Sequence, residues 1–297
     1  MVNGSDRLSQ AELATLKIGI AFSGGGARGI AHVGVIRALR EEGIEPAVVS
    51  GTSAGAIVGA LYCAGMKDKD LEHFANVGSG IKILRLGNPL RGLMKLSLLR
   101  EKLEAVLSTD DFTDLQVPFI VTASNLQGGY LRLFSEGPLI EAVQASCAFP
   151  LIFEPIVIDD EQYIDGGLYL NLPAEPIRDA CDFLIGSNVM PLVNERVEPL
   201  KSLVSIATRV FDLSVNTTSH HSRATCDVLI EPADVIQYGI YNFSKPAALI
   251  EAGYRAAKAE MPVLRKSFRR VMREHRRARE QERVKEHSQE NASKQDA

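Results

Sequence analysis

Two glycine-rich turns and one aspartate carry the residue types in this sequence that could do chemistry. The first turn, Ser23-Gly24-Gly25-Gly26-Ala27-Arg28-Gly29, follows the apolar run Lys17–Phe22 and precedes a helical pattern. Consecutive glycines allow positive φ and leave backbone N–H groups bare, and a helix N-terminus adds positive potential. An anion is expected there. The second turn, Ser50-Gly51-Thr52-Ser53-Ala54-Gly55, is G-x-S-x-G between a short strand and a small-residue helix. That is the context of a nucleophile elbow, in which Gly51 and Gly55 clear a sharp turn and Ser53 projects above the sheet. A plain N-cap at Thr52 or Ser53 is the alternative. In a parallel sheet both turns open at the carboxyl ends of neighbouring strands, so they converge on one crevice.

A serine hydroxyl needs a base. His275 and His287 lie in a charged tail, and His32 falls early in a helix, where packing or capping suits it. His220 and His221 end a helix and leave a Ser–His–Asp triad open. Asp165, in Tyr163-Ile164-Asp165-Gly166-Gly167, ends a strand and enters a glycine turn that directs its carboxylate into a crevice; an ordinary Asp-Gly turn is the competing reading. The first turn also fits G-x-G-x-x-G through Gly24, Gly26 and Gly29, with Glu42 or Glu45 as the acidic residue of a dinucleotide site.

The elements that must position these residues alternate. Strands are expected at Lys17–Phe22, Ala47–Val49, Phe119–Ser124, Tyr130–Phe134, Ile156–Ile158, Gln162–Ile164, Phe183–Ser187 and Val228–Ile230. Helices are expected at Ile30–Glu42, Ala54–Ala64, Leu139–Cys147, Leu200–His221 and Ala247–Glu260. This order predicts an α/β fold with a mainly parallel sheet. Residues 81–107 interleave Leu and Ile with Lys82, Arg85, Arg91, Lys95, Arg100 and Lys102, and read as a cap-like insertion.

Composition narrows the classes. The chain has 297 residues, 45% of them hydrophobic and 24% charged, which excludes disorder, collagen-like repeats and small disulfide scaffolds. No apolar run is long enough to span a bilayer, and the polar start lacks a secretory signal, so a cytoplasmic protein is expected. Cys63, Cys147, Cys181 and Cys226 are too scattered for a metal knuckle and read as reduced packing residues. No metal and no cofactor is expected. The net charge is −4, yet residues 265–297 hold eleven basic and six acidic side chains. That basic tail, or the 81–107 insertion, suits peripheral contact with an anionic membrane; no nucleic-acid partner is expected.

The blocks Gly24-Gly25-Gly26-Ala27-Arg28-Gly29, Gly51-Thr52-Ser53-Ala54-Gly55 and Asp165-Gly166-Gly167, with Ala145–Pro150 between the last two, resemble the bacterial patatin-like phospholipases in order and spacing. The resemblance spans about residues 17 to 190. It implies a three-layer α/β/α fold and a lipid acyl hydrolase acting on carboxylic esters. Ser53 would be the nucleophile and Asp165 its base, with no histidine. The oxyanion hole would fall at Gly24, Gly25 and Gly26, with Arg28 nearby. The expected domains are a polar extension (1–16), the catalytic domain (17–262) and a basic helical or disordered tail (263–297).

Overall fold

The computed structural model describes residues 7–80, 85–86, 94–191 and 199–295. A short helix α1 (Gln10–Leu13), closed by a Ser9–Glu12 capping box, leads into β1 (Ile18–Phe22). The glycine turn then opens α2 (Ala31–Glu41), and β2 (Val48–Gly51), α3 (Ala54–Cys63) and α4 (Asp68–Gly80) follow. A separate antiparallel pair, β3 (Arg85–Leu86) and β4 (Met94–Lys95), precedes α5 (Ser97–Val106). Next come β5 (Phe119–Asn125), β6 (Leu131–Phe134), α6 (Leu139–Cys147), β7 (Ile156–Ile158) and β8 (Glu161–Asp165). The chain continues through α7 (Glu175–Arg178), β9 (Phe183–Ser187), α8 (Leu203–Thr225), β10 (Val228–Ile230) and α9 (Pro246–Gln295).

Among the described residues the main sheet runs β10-β9-β1-β2-β5-β8-β7, with β6 also on β5. Pairing is parallel from β10 to β5 and antiparallel for β6, β7 and β8. Every residue of β1, β2 and β9 is buried, as expected of parallel strands covered on both faces.

One feature of this sheet decides where the chemistry can be. β2 pairs with β5 up to Gly51 opposite Val121, and β8 pairs with β5 down to Asp165 opposite Ala123. β6 takes the other edge of β5 at both Val121 and Ala123. β2 and β8 therefore share one edge of β5 and point at each other end to end. The ends of the two strands meet two residues apart along β5, which brings Asp165 beside the turn that follows Gly51.

The boundaries expected at residues 16 and 263 do not coincide with breaks in the packing. Leu8, Leu13 and Leu16 are buried in the main core. α9 passes Pro262 unbroken and buries Leu264, Phe268, Val271 and Met272, which the spacing places on one helix face. Phe268 meets Phe183 edge-on at 5.2 Å between ring centres. α9 also crosses α2 where Gly34 and Gly253 leave no room for a side chain: a Cβ at either would lie 1.9 Å from a backbone oxygen of the facing helix. Of the expected insertion, residues 81–84 and 87–93, including Lys82 and Arg91, lie outside the described residues.

Candidate active site

The elbow is built by strain and by close packing. Ser53 adopts φ 53 and ψ −121, a backbone state that L-residues avoid and that costs about 1–3 kcal/mol. It is fixed from both sides. The Ser53 N–H donates to Ser146 Oγ at 2.8 Å, and the Thr52 N–H donates to Phe22 O at 3.1 Å. The Thr52 hydroxyl joins Thr122 Oγ1 at 2.7 Å and donates to Leu170 O at 2.9 Å. A Cβ at Gly55 would sit 2.3 Å from Phe22 O, so only glycine lets α3 press this closely on β1.

Asp165 is 2% exposed. Its backbone is tied to the sheet and to α6: Ser124 Oγ donates to Asp165 O at 2.9 Å, and Asp165 N donates to Ala148 O at 3.0 Å. Oδ1 accepts the Gly167 N–H at 2.8 Å, so the carboxylate also caps the turn that follows. Burial pushes the Asp165 carboxyl up to about 6, against the Gly167 N–H and a side-chain hydrogen bond with Ser53, which favour the charged form. The Cys147 thiol lies against the same pair; burial, then the Asp165 charge, push it well above the thiol range.

The glycine turn faces this pair with backbone alone. Gly25 and Gly26 have φ 158 and φ 55, and a Cβ at Gly26 would lie 2.3 Å from Ile240 O. Among the described residues no acceptor meets the Gly25 or Gly26 N–H. Two expected members of the oxyanion set are otherwise engaged. The Gly24 N–H donates to Asn171 O at 3.0 Å. The Arg28 guanidinium donates to Tyr238 O at 2.8 Å and Ile236 O at 3.1 Å, so it anchors the segment that passes over the turn. The Ala27 N–H also reaches that segment, at Ile240 O (2.7 Å).

His32 sets the base of the turn. Its Nε2 lies 2.9 Å from Ser23 O and its Nδ1 2.8 Å from Ser187 Oγ. A carbonyl only accepts, so Nε2 carries the proton and Nδ1 accepts from the Ser187 hydroxyl. Burial pushes His32 down to about 4, which keeps the ring neutral. The Val189 N–H then donates to Ser23 Oγ at 2.9 Å, completing a buried polar brace.

Gly25, Gly26, Gly29, Ser53 and Asp165 line one cavity of about 670 Å³. Its walls are otherwise mostly apolar, with Ile57, Val58 and Leu61 of α3, Leu71 and Phe74 of α4, Leu99 of α5 and Leu96 just before it. From Ser53 to Leu61, α3 rises about 12 Å along this wall. Tyr241 lines the cavity while 48% exposed, so the cavity reaches the surface beside this residue. Gly51, Gly55, Gly166 and Gly167 shape the turns from behind. Three further residues bear on the site: Ser146 of the Ala145–Pro150 block, Lys102 of the insertion, and Asn171, which no motif singles out. Asn171 is 2% exposed, lines the cavity, and has an Nδ2 without a partner among the described residues. Its signal was one polar side chain inside the apolar run Leu168–Leu172.

The competing readings find little support. His220 and His221 are exposed and do not line the cavity. Glu42 is held by Lys258 at 3.2 Å and Arg265 at 2.6 Å, and Glu45 accepts from Tyr62 at 3.1 Å, all at the end of α2 away from the glycine turn. β2 ends in the serine elbow, where a dinucleotide site would present its acidic residue. Among the described residues no group of three or more His, Cys, Asp or Glu could hold a metal, and no helix is long and apolar enough to cross a membrane.

Fold and site together define an α/β protein with a strained serine elbow, a buried carboxylate and an amide-lined turn at the head of an apolar cavity. A model of the patatin-like phospholipase family matches residues 20–178. The chain belongs to that family. An uncharacterized NTE family protein of Mycobacterium tuberculosis is 32% identical over 211 residues, covering 67% of this chain and 58% of the relative. Patatin-like phospholipase domain-containing protein 6 of Mus musculus is 30% identical over 169 residues, covering 54% of this chain and 12% of the relative. The chain thus spans little more than half of the first relative's length and a small part of the second's. Among solved structures, human GIVD cytosolic phospholipase A2 in complex with methyl gamma-linolenyl fluorophosphonate aligns with a TM-score of 0.50 at 12% identity. It covers 90% of this chain and 60% of that one, a likeness of fold.

Proposed function

We propose that this chain hydrolyses carboxylic ester bonds of lipids through a Ser53–Asp165 dyad. The observation that carries the reading is the meeting of a strained Ser53, a buried Asp165 and two uncommitted amides at the head of an apolar cavity. Family membership supports the lipid ester as substrate class.

In this mechanism Asp165 takes the Ser53 hydroxyl proton as Ser53 Oγ bonds to the ester carbonyl carbon. The Gly25 and Gly26 N–H groups hold the oxyanion that forms. The tetrahedral species collapses, the C–O bond to the alcohol breaks, and Asp165 returns the proton to the leaving alkoxide. Water, deprotonated by Asp165, then attacks the acyl-serine; Ser53 recovers its proton and the fatty acid departs. An aspartate of ordinary pKa is a weak base, and burial corrects part of that mismatch by pushing Asp165 up to about 6.

The proposed lipid surface meets the molecule around the cavity opening. Leu203, Ile206, Val210 and Leu213 recur at helical spacing on α8 and are exposed, Leu203 at 78%. Phe211 and Asp212 of the same helix line the cavity from its other face, so the stripe is presented outward beside the cavity. The exposed Arg273, Arg276, Arg277 and Arg279 of α9 add cations toward an anionic surface. A cytoplasmic location with peripheral membrane contact is part of the same proposal.

Labelling with a fluorophosphonate, followed by peptide mapping, tests the reading. The adduct is expected on Ser53 and absent in Ser53→Ala. Joint replacement of His220 and His221 is expected to leave p-nitrophenyl ester turnover within about threefold, since surface substitutions remote from a site have small effects. Labelling elsewhere, or loss of turnover in the double histidine variant, overturns the dyad.

A further inference from the structure

Lys102 is the only basic side chain among the described residues lining the cavity. Its Nζ is buried and has no hydrogen-bond partner among the described residues. The cavity wall is apolar: Leu99 on its own helix and Leu96 at the start of it, with Leu71, Phe74 and Leu61 also lining the cavity. A helical side chain leans toward the N-terminus of its helix, so the Lys102 stem lies over the turn that holds Leu99.

An ammonium in such a wall is costly without a counter-charge. Burial pushes its pKa down from the ordinary lysine value. Lysines usually avoid this cost by extending the charged head into water. Here the stem is partly exposed while the head is not. The carboxylates in reach of the cavity have other attachments. Asp165 caps the Gly167 turn beside Ser53, and Asp212 feels Arg28 and Arg209. On α5, Glu104 accepts from Arg100 at 2.8 Å. The charge of Lys102 is left for a ligand.

We propose that Lys102 forms an anion-holding subsite in the wall of the acyl cavity, receiving the phosphate or carboxylate of an acyl-bearing ligand. The proposal rests on the lipid acyl hydrolase reading and adds selectivity to it: anionic acyl ligands over neutral ones of the same chain length. Ser53 and Lys102 line the same cavity, so one ligand can present its ester to the first and its oxyanion to the second. Two sources share this chemistry, a phosphorylated headgroup on the substrate and the carboxylate of the released fatty acid.

Binding to the full chain carrying Ser53→Ala, which halts turnover, tests the subsite. Monoacylglycerol, lysophosphatidic acid and free fatty acid of one chain length are titrated, with and without Lys102→Met. With Lys102 present, at least one anionic ligand is expected to bind about tenfold or more tightly than monoacylglycerol, a difference of about 1.4 kcal/mol. Lys102→Met is expected to erase most of that preference and Lys102→Arg to keep it. A preference confined to lysophosphatidic acid assigns the anion to the headgroup; one confined to the fatty acid assigns it to the product. An equal preference in Lys102→Met overturns the proposal. So does no preference with Lys102 present, or inorganic phosphate alone binding as tightly as the lipids. Lys102→Arg keeps the charge and serves if Lys102→Met unfolds. Failure of the catalytic reading shows separately, as wild-type chain that no fluorophosphonate labels, and leaves the binding difference intact.

Discussion

The glycine turn after β1 and the serine elbow after β2 occupy equivalent places on adjacent parallel strands, with Phe22 opposite Gly51, yet they solve opposite problems. The first must present backbone and exclude side chains. It uses glycine where Ile240 O leaves no room for a Cβ. The second must present a side chain and accepts a strained φ at Ser53 to do so. Their supports differ in the same way. Gly24, Gly25 and Gly26 have no side chains to pack, so the base of the turn is braced by a buried polar set, His32, Ser187 and Ser23. The elbow is held mainly by backbone and by hydroxyls from elsewhere, Ser146 and Thr122. An anion site made of amides needs its geometry imposed from outside, whereas a nucleophile carries its function in one side chain on an over-determined turn.

The sharpest break of this comparison is to remove the functional element of each turn. Ser53→Ala deletes the proposed nucleophile, and ester turnover is expected to fall at least about 10³-fold with the fold intact. Alanine at 53 retains the strained φ, so thermal unfolding should change little. Gly26→Ala is the opposite case. It leaves every catalytic side chain in place but forces a Cβ against Ile240 O at φ 55. Displacing one amide donor is expected to lower kcat by about 10²–10³-fold. Unlike Ser53→Ala, it should also lower stability, by about 1–2 kcal/mol from the left-handed backbone alone. A Gly26→Ala protein with full activity would remove the amides from the mechanism.

The two turns also mark how far the sequence could be read. Both stood out because glycine and serine at fixed spacing after an apolar run have few other uses. The strands that position them were legible as well, since fully buried parallel strands such as Phe183–Ser187 are short unbroken apolar runs. The meeting of Asp165 with Ser53 was not legible from the residues alone. It depends on β2 and β8 sharing one edge of β5, a register that no local pattern encodes. The cavity wall was illegible for another reason. Leu71, Phe74, Leu96 and Leu99 line it, and an apolar residue facing a cavity has the same sequence pattern as one facing the core. α4 is not among the expected helices, although Leu71, Phe74 and Ala75 follow helical spacing behind an acidic start. The charge beyond residue 262 reads as a tail and hides the continuation of α9, although Leu264, Phe268, Val271 and Met272 keep the helical period.

The comparison sharpens further with pH. As the proposed base, Asp165 must be ionised to act, so kcat/KM is expected to fall about tenfold per unit below about 6 and to level off above it. A profile flat from pH 4 to 8 would exclude Asp165 as the titrating base.

On stability the two regions pull in opposite directions, and in the wild-type protein their effects partly cancel. Asp165 has its folded pKa raised to about 6, so the native state binds more protons than the unfolded chain between about pH 4 and 6. Its contribution to stability is present in acid and lost as pH rises through that window. His32 has its folded pKa lowered to about 4, so the unfolded chain binds more protons between about pH 4 and 6.5. Its contribution is present above that window and lost as pH falls. In the wild-type protein the two slopes oppose each other over the shared range. Asp165→Asn should expose the His32 slope, with unfolding free energy raised at pH 8 by up to about 3 kcal/mol and the gain gone below pH 4. His32→Gln should expose the Asp165 slope, with stability rising toward acid from a lower starting point. Urea unfolding of the three proteins at pH 4.5, 6 and 8 measures both. Parallel curves for wild type and Asp165→Asn would show that the carboxylate is not held at a raised pKa, and the burial argument for its basicity would fail with it.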